Sequence, residues 1–337
     1  MNTFYHSINT ALCAVAALLL AVSAKAQNLF VGNFVNYPPY TDTITRITPG
    51  GVRSSFASGL YSPTEIAFDN AGNLFETDEG SGNIYKFTPS GVQSTFASGF
   101  ELPVSIALDG MGGAYVASAN GNIYRVTSGG VITAFASNLL PTVGGLAVNS
   151  AGDLFEVDGS GNIYEFTPGG VQSTFASGLV DVGGWMAFDN AGNLFVVDYD
   201  GYIYKFTPAG VKSTFASGLN LPNGLAFNSA GNLFEADYGS GNIYEFTPDG
   251  TRSTFVSGVN EQSSLAFEPS PELLAAVTNG VIQVGVTMPP PNYSTIVQVS
   301  TDMVNWTSVC TNTPPFTFTN SIDTTLPGRF YRAMLGP

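Results

Sequence analysis

From residue 28 to residue 268 short apolar runs alternate with polar turns, and no run acquires a helical period. In one representative unit the runs are Glu65–Phe68, Asn73–Thr77, Asn83–Phe87 and Val92–Ala97. Each is rich in aromatic or β-branched side chains and is bounded by Gly, Pro, Asn or Asp, which predicts strands joined by tight turns.

The pattern repeats. A turn glycine recurs at Gly72, Gly112, Gly152, Gly192 and Gly231, and a tyrosine at Tyr85, Tyr124, Tyr164, Tyr204 and Tyr244. A phenylalanine recurs at Phe56, Phe96, Phe135, Phe175, Phe215 and Phe255. Several residue types therefore keep one phase. Four strands in a unit of ~40 residues is the arithmetic of a β-propeller blade.

The chain opens on a second-strand run, from Asn28, and the last repeat ends on a first-strand run, Leu265–Phe267. The expected pairing of Leu265–Phe267 with Leu29–Val31 completes the first blade, closes the ring and removes its edges. The expected fold is all-β, a six-bladed β-propeller over 27–268. An insertion in the first unit, Asn33 to Thr43, is expected to be an exposed loop. From Pro269 the repeat stops. The short strands that follow, separated by Pro, Asn and Asp, predict a small β-sandwich over 269–337.

Composition fits this picture: of 337 residues 10% are charged, while Gly (39) and Pro (20) supply turns. Residues 1–26 read as a secretory signal peptide, the apolar run Ala11–Val22 ending in Ala24-Lys25-Ala26 before Gln27. An uncleaved anchor is the alternative, although the run is short for a span of ~20 residues. No other segment is apolar enough to cross a membrane, and a secreted, periplasmic or cell-envelope location follows.

Cleavage changes the chemistry available. It removes Lys25, leaving nine basic residues against 25 acids, a net charge of −16. Such a surface repels nucleic acid and anionic membrane. It removes Cys13, so Cys310 is left alone and no intramolecular disulfide forms; a monomer is expected. It removes His6, the one histidine, which excludes His-based triads, His general bases and His-ligated metals. No nucleophile elbow, P-loop, paired-Cys metal site or dinucleotide fingerprint is present.

The pattern P-x-x-[IL]-A-F-D, G-N-L-F-x-x-D and G-N-I-Y, best kept in Leu221–Phe227, resembles NHL-repeat propellers and the senescence-marker-protein/gluconolactonase family. The tail resembles fibronectin-III-like or immunoglobulin-like modules. The first resemblance implies a divalent metal at the channel mouth, held by acids and an Asn at the starts of first strands. By position only Asn223 matches; the equivalent places hold Thr64, Val104, Gly144, Gly184 and Ser263, and Glu65 is one residue out of register. The acidic ligands that the resemblance implies are missing.

In a four-stranded meander the second-to-third and fourth-to-first connections share one face of the ring. That face collects Glu65, Asp78, Glu79, Glu101, Asp158, Asp181, Asp198, Asp200, Asp237 and Glu261, with no Lys or Arg. The basic residues, among them Arg53, Lys86, Arg125, Lys205, Lys212 and Arg252, fall on outer strands. An all-acid face favours a hard cation such as Ca²⁺, or a cationic or polyhydroxylated ligand. The candidate ligand residues are Asn223, Glu65, Asp181, Asp198, Asp200 and Asp237, with Asn223, Asp181 and Asp237 as the metal-binding subset.

Structural readings stand beside these. Asp78, Asp158, Asp198 and Asp237 end second strands, where an Asp caps its own loop. Asn223 can shape a Pro-Asn-Gly turn. Glu76, Glu156 and Glu235 recur at one strand position in alternate blades and are expected to be partly solvated, with the lining of an inter-blade crevice or of the rim as the alternative. The function expected is a secreted scaffold that binds a protein, glycan or small ligand at the acidic face. The alternatives are a metal-dependent, Ca-type lactonase or hydrolase of the gluconolactonase-like class and a structural envelope protein.

Overall fold

A computed structural model describes residues 27–34, 42–139, 145–180, 182–259 and 261–269, together with Asn305 and the strands given below for the remainder. Among these residues there is no helix. Six four-stranded antiparallel sheets form in sequence, each one blade. Blade 2 is typical, with strands Pro63–Phe68, Leu74–Asp78, Asn83–Phe87 and Gln93–Ser98 in that order from the inside outward.

The inner strands are Gln262–Phe267, Pro63–Phe68, Pro103–Leu108, Leu146–Val148, Val182–Phe188 and Pro222–Phe227, in blades 1 to 6. Each packs on the inner strands of its two neighbours.

Ring closure takes the expected form. Gln262–Phe267 joins Leu29–Asn33 with Leu29 opposite Phe267, Phe30 opposite Ala266 and Val31 opposite Leu265. The two ends are further tied by Asn28 Nδ2, which donates to Glu268 Oε1 at 2.6 Å. Blade 1 thus takes one strand from the end of the ring and three from its start. Leu29, Val31, Ile47 and Leu265 bury with Phe234, Ala236 and Ile243 of blade 6.

The repeated phenylalanines explain the phase that the sequence keeps. Phe30, Phe155, Phe195 and Phe234 lie on second strands. Each meets an outer-strand ring of its own blade edge-on: Phe56, Phe175, Phe215 and Phe255, at centroid distances of 4.9 to 5.1 Å. Each also meets an inner-strand ring of the next blade, Phe68, Phe188, Phe227 or Phe267. One aromatic therefore locks both the sheet and the junction.

The insertion is shorter than expected. Asn33 ends the second strand, Leu29–Asn33, opposite Thr43; Asp42 and Thr43 already belong to the third strand of blade 1, Asp42–Ile47, and Asp42 is buried with its Oδ2 accepting from Ser62 N at 2.7 Å. A strand claims these residues because Asp42 caps the turn into blade 2. Residues 35–41 lie outside the described residues, as does the proposed signal peptide.

A second compact unit begins at Ser270. It contains two three-stranded antiparallel sheets. One orders Glu272–Thr278, Val281–Thr287 and Phe316–Ser321; the other has Thr295–Ser300 between Thr307–Asn312 and Phe330–Leu335.

Candidate functional site at the channel mouth

The loop face is built by one recurrent device. The residue before the inner strand is left-handed at Ser62, Leu102, Leu221 and Glu261, with φ of 62°, 49°, 53° and 60°. This turn aims its carbonyl at the second-to-third connection. Ser62 O accepts from Glu79 N at 3.0 Å, Leu102 O from Ala119 N at 3.0 Å and Leu221 O from Tyr238 N at 3.2 Å. Glu261 O accepts from Phe34 N at 2.8 Å. Left-handed backbone at a non-glycine residue costs on the order of 1–3 kcal/mol, which the surrounding hydrogen bonds must offset. The two classes of loop are thereby fastened to each other and carry their tips to the channel mouth.

There they enclose a cavity of about 150 Å³. Phe34, Trp185 and Tyr238 supply aromatic surface, and Glu79 and Glu261 supply carboxylates. Thr64, Asn223 and Ser263, at the starts of three inner strands, contribute polar side chains. No Lys or Arg is among the described residues that line it. Burial raises the pKa of the Glu79 carboxyl.

The acids singled out from sequence divide into groups. Asp78, Asp158, Asp198 and Asp237 are buried loop caps. Asp237 accepts from Asn220 N at 2.7 Å through one oxygen and from Ser240 N at 3.0 Å through the other. Asp198 Oδ1 accepts from Tyr202 N at 2.8 Å, and Asp158 Oδ1 from Ser160 N and Asn162 N. The capping reading holds, and the acidic face is thinner than the count of ten suggests. Asp200 is exposed. Asp181 lies outside the described residues.

Asn223 and Glu65 belong to a belt of hydrogen bonds that staples the inner strands. Asn223 Nδ2 donates to Gln262 O at 3.0 Å, linking blade 6 to blade 1. Ser263 Oγ donates to Pro63 O at 3.0 Å, and Thr64 Oγ1 to Pro103 O at 3.2 Å. Glu65 Oε2 accepts from Ser105 Oγ and from Ile106 N, the latter at 2.9 Å. Ser105 Oγ in turn accepts from Leu146 N at 2.9 Å. The belt crosses four successive junctions. Burial pushes the Glu65 carboxyl up to about 7, against the two hydrogen bonds that lower it.

The residues present do not compose the metal-ligand set that the resemblance implies. Among the described residues no three of His, Cys, Asp and Glu are arranged to hold an ion. Both Asp237 oxygens are committed to backbone N–H groups, and Asn223 Nδ2, a donor that takes no part in metal binding, is committed to Gln262 O. Replacing Asn223 by Ala is therefore expected to cost about 1 kcal/mol of stability, the worth of one hydrogen bond. Urea midpoints of the two proteins, with and without Ca²⁺, check this; a loss that appears only with Ca²⁺ present would speak for a ligand role.

No protein-family model matches the chain, and no curated protein matches it. Solved structures do. Virginiamycin B lyase from Staphylococcus aureus superposes with a TM-score of 0.54 at 13% identity, over 80% of this chain and 94% of that one. A gluconolactonase of Xanthomonas campestris gives 0.55 at 13%, over 78% and 93%. A PQQ-bound aldose sugar dehydrogenase of Streptomyces coelicolor gives 0.53 at 16%, over 69% and 90%.

The protein is a six-bladed β-propeller. Its structural neighbours lie in the gluconolactonase and virginiamycin B lyase group. A lyase, a lactonase and a dehydrogenase share the ring, so the likeness carries the fold and leaves the activity to the site.

Sequence reasoning missed the aromatic part of that site. Trp185 and Tyr238 were lost among repeated aromatics. Trp185 stands where the other inner strands place Ser264, Glu65, Ser105, Gly145 and Gly224, and this break in the repeat was the available signal.

Three other expectations are corrected by burial. Glu76, Glu156 and Glu235, read as partly solvated, are fully buried. Their period-2 position places each on the same strand face as a core leucine, Leu74, Leu154 or Leu233, which packs into a blade junction.

Proposed function

We propose that the protein binds a small ligand in the channel-mouth cavity, and that the ligand is a sugar ring, neutral or amine-bearing, presented alone or at the end of a larger glycan. The observation that carries this reading is the lining: three aromatic side chains with carboxylates and no basic group. Aromatic faces take the apolar face of a sugar ring, while carboxylates take its hydroxyl or amino groups. A fixed acidic mouth disfavours anionic ligands. The cavity is small beside the ~300–1,000 Å³ of drug-sized sites, which suits a single ring. Residues 1–26, read as a leader, support binding outside the cytoplasm, and the C-terminal sheets, read as a sandwich, would be an accessory module.

Calorimetry with neutral, aminated and carboxylated monosaccharides tests the reading. Neutral or aminated sugars are expected to bind and carboxylated ones to bind at least ten-fold more weakly; Trp185→Ala abolishes the heat. Equal binding of the acids, or binding that survives Trp185→Ala, would contradict it.

A second reading, lactone hydrolysis, is favoured by one observation. The Glu65 carboxyl, next in sequence to cavity-lining Thr64, is poised at about 7, a value suited to general acid–base work. An assay on sugar lactones, wild type against Glu65→Gln, decides it: turnover lost in the variant supports hydrolysis, and no turnover in either removes it.

A further inference from the structure

Fully buried carboxyls without hydrogen-bond partners are rare, because desolvation penalises the charged form heavily. The described residues of this ring include three, Glu76, Glu156 and Glu235, with both carboxyl oxygens buried and without a hydrogen-bond partner. They occupy one position in blades 2, 4 and 6, at the centre of the second strand. Each is flanked in its sheet by an aliphatic residue and a tyrosine: Ile66 and Tyr85, Leu146 and Tyr164, Leu225 and Tyr244. Blades 1, 3 and 5 hold valine at the same position, Val31, Val116 and Val196, and all three are fully buried. The environment is thus built for an apolar side chain, and alternate junctions receive a carboxyl instead.

The charged surroundings offer no compensating cation at close range. Asp78 and Asp42 oppose ionisation of Glu76, and Asp158 opposes that of Glu156. Asp237 opposes that of Glu235, while Arg252 and the backbone N–H of Asn223 favour it. From the facing blades the basic residues are turned elsewhere. Arg125 pairs with Asp109 at 3.7 Å, Lys205 with Asp189 at 3.8 Å, and Arg46 interacts with Glu268. Asp78, Asp158 and Asp237 spend their oxygens on loop amides, so neither they nor the glutamates assemble a cation cage.

We propose that the ring is proton-locked: three alternate blade junctions are closed by neutral glutamic acids, and removing those protons loosens these junctions while leaving the valine junctions intact. A proton is the one cation that fits a site with no other ligands. Burial and the neighbouring acids raise all three carboxyls, Glu156 to about 8 and the others well above their ordinary range.

The direction of the pH effect follows. An unfolded glutamate titrates near 4.3. Between that pH and its raised folded value, the folded chain holds protons that the unfolded chain has released. Stability is therefore full in mild acid and falls as pH rises through 5 to 8.

The test is thermal unfolding of the whole chain between pH 5 and 9 at fixed ionic strength. The three carboxyls are expected to lower the wild-type midpoint by roughly 8–16 °C per pH unit over pH 5 to 8. In the triple variant Glu76→Gln, Glu156→Gln, Glu235→Gln that part of the slope is lost, leaving the smaller fall contributed by the Glu65 carboxyl, itself raised to about 7. If the triple variant does not fold, the single change Glu156→Val, which copies the sister blades, is expected to remove about a third of the slope. A difference infrared spectrum of wild type at pH 7 is expected to show protonated carboxyl carbonyl bands that are absent from the variant. A wild-type midpoint that is flat or rises with pH would overturn the proposal. So would a midpoint raised at pH 8 by Ca²⁺ in wild type and not in the variant, because the carboxylates would then be ionised and holding a cation.

Discussion

A chain ending at Pro269 is expected to melt as cooperatively as the full-length protein, whereas a chain ending at Asn260 is expected not to fold. The two differ by the one strand that closes the ring. Gln262–Phe267 supplies the inner strand of blade 1, and without it Leu29–Asn33 is an open edge facing the channel. Leu265 leaves the cluster formed with Val31 and Phe234, and Phe267 leaves the edge-on contact with Phe234 at 4.8 Å. Burial of two such side chains is worth ~1.5–3 kcal/mol each, and the backbone hydrogen bonds of the pairing ~0.5–1.5 kcal/mol apiece. The loss approaches the ~5–15 kcal/mol that stabilises an ordinary domain. The C-terminal sheets form a separate compact unit. Circular dichroism melts of the two truncated chains check the contrast. A folded protein ending at Asn260 would show that closure is not what holds the ring.

The second large effect is expected at Gly145, where an alanine should cost about 3 kcal/mol or more. A Cβ there would overlap the carbonyl oxygen of Gly184 and lie 2.6 Å from its carbon. Both are backbone atoms of the neighbouring inner strand, so no side-chain rotation relieves the clash. Blade 4 has the shortest inner strand, Leu146–Val148, and its junction with blade 5 depends on this close approach. Gly224 is similar, its Cβ meeting Leu265 N at 2.7 Å. Gly129→Ala on an outer turn is the control, its nearest neighbour 3.9 Å away, and is expected to change stability by less than about 0.5 kcal/mol. Urea midpoints measure all three.

The blades were legible in the sequence because their residues do the same work six times. Phe56, Phe175 and Phe255 each press on a second-strand ring, and selection for that contact keeps them in phase. Closure was legible because a ring must pair its edges, and only Leu265–Phe267 was left over. The roles of polar residues were harder to see. Period-2 alternation places Glu76 on one strand face but does not say whether that face meets water or another blade. The sister residues Val31, Val116 and Val196 carried that information. Asn223 stood out as a departure from the repeat, and its amide serves a junction. Trp185 is an equal departure, hidden because aromatic residues are common throughout the chain, yet it supplies aromatic surface to the cavity.

The cavity reading makes Trp185 the reporter of its own site. Trp185 and Trp306 are the only tryptophans, so Trp306→Phe leaves one indole in the chain. Titrating that variant with neutral and amine-bearing monosaccharides is expected to shift and saturate the Trp185 emission and to shield it from acrylamide quenching. Carboxylated sugars should leave both unchanged. An emission indifferent to every sugar, or one that responds to the acids alone, would contradict the account.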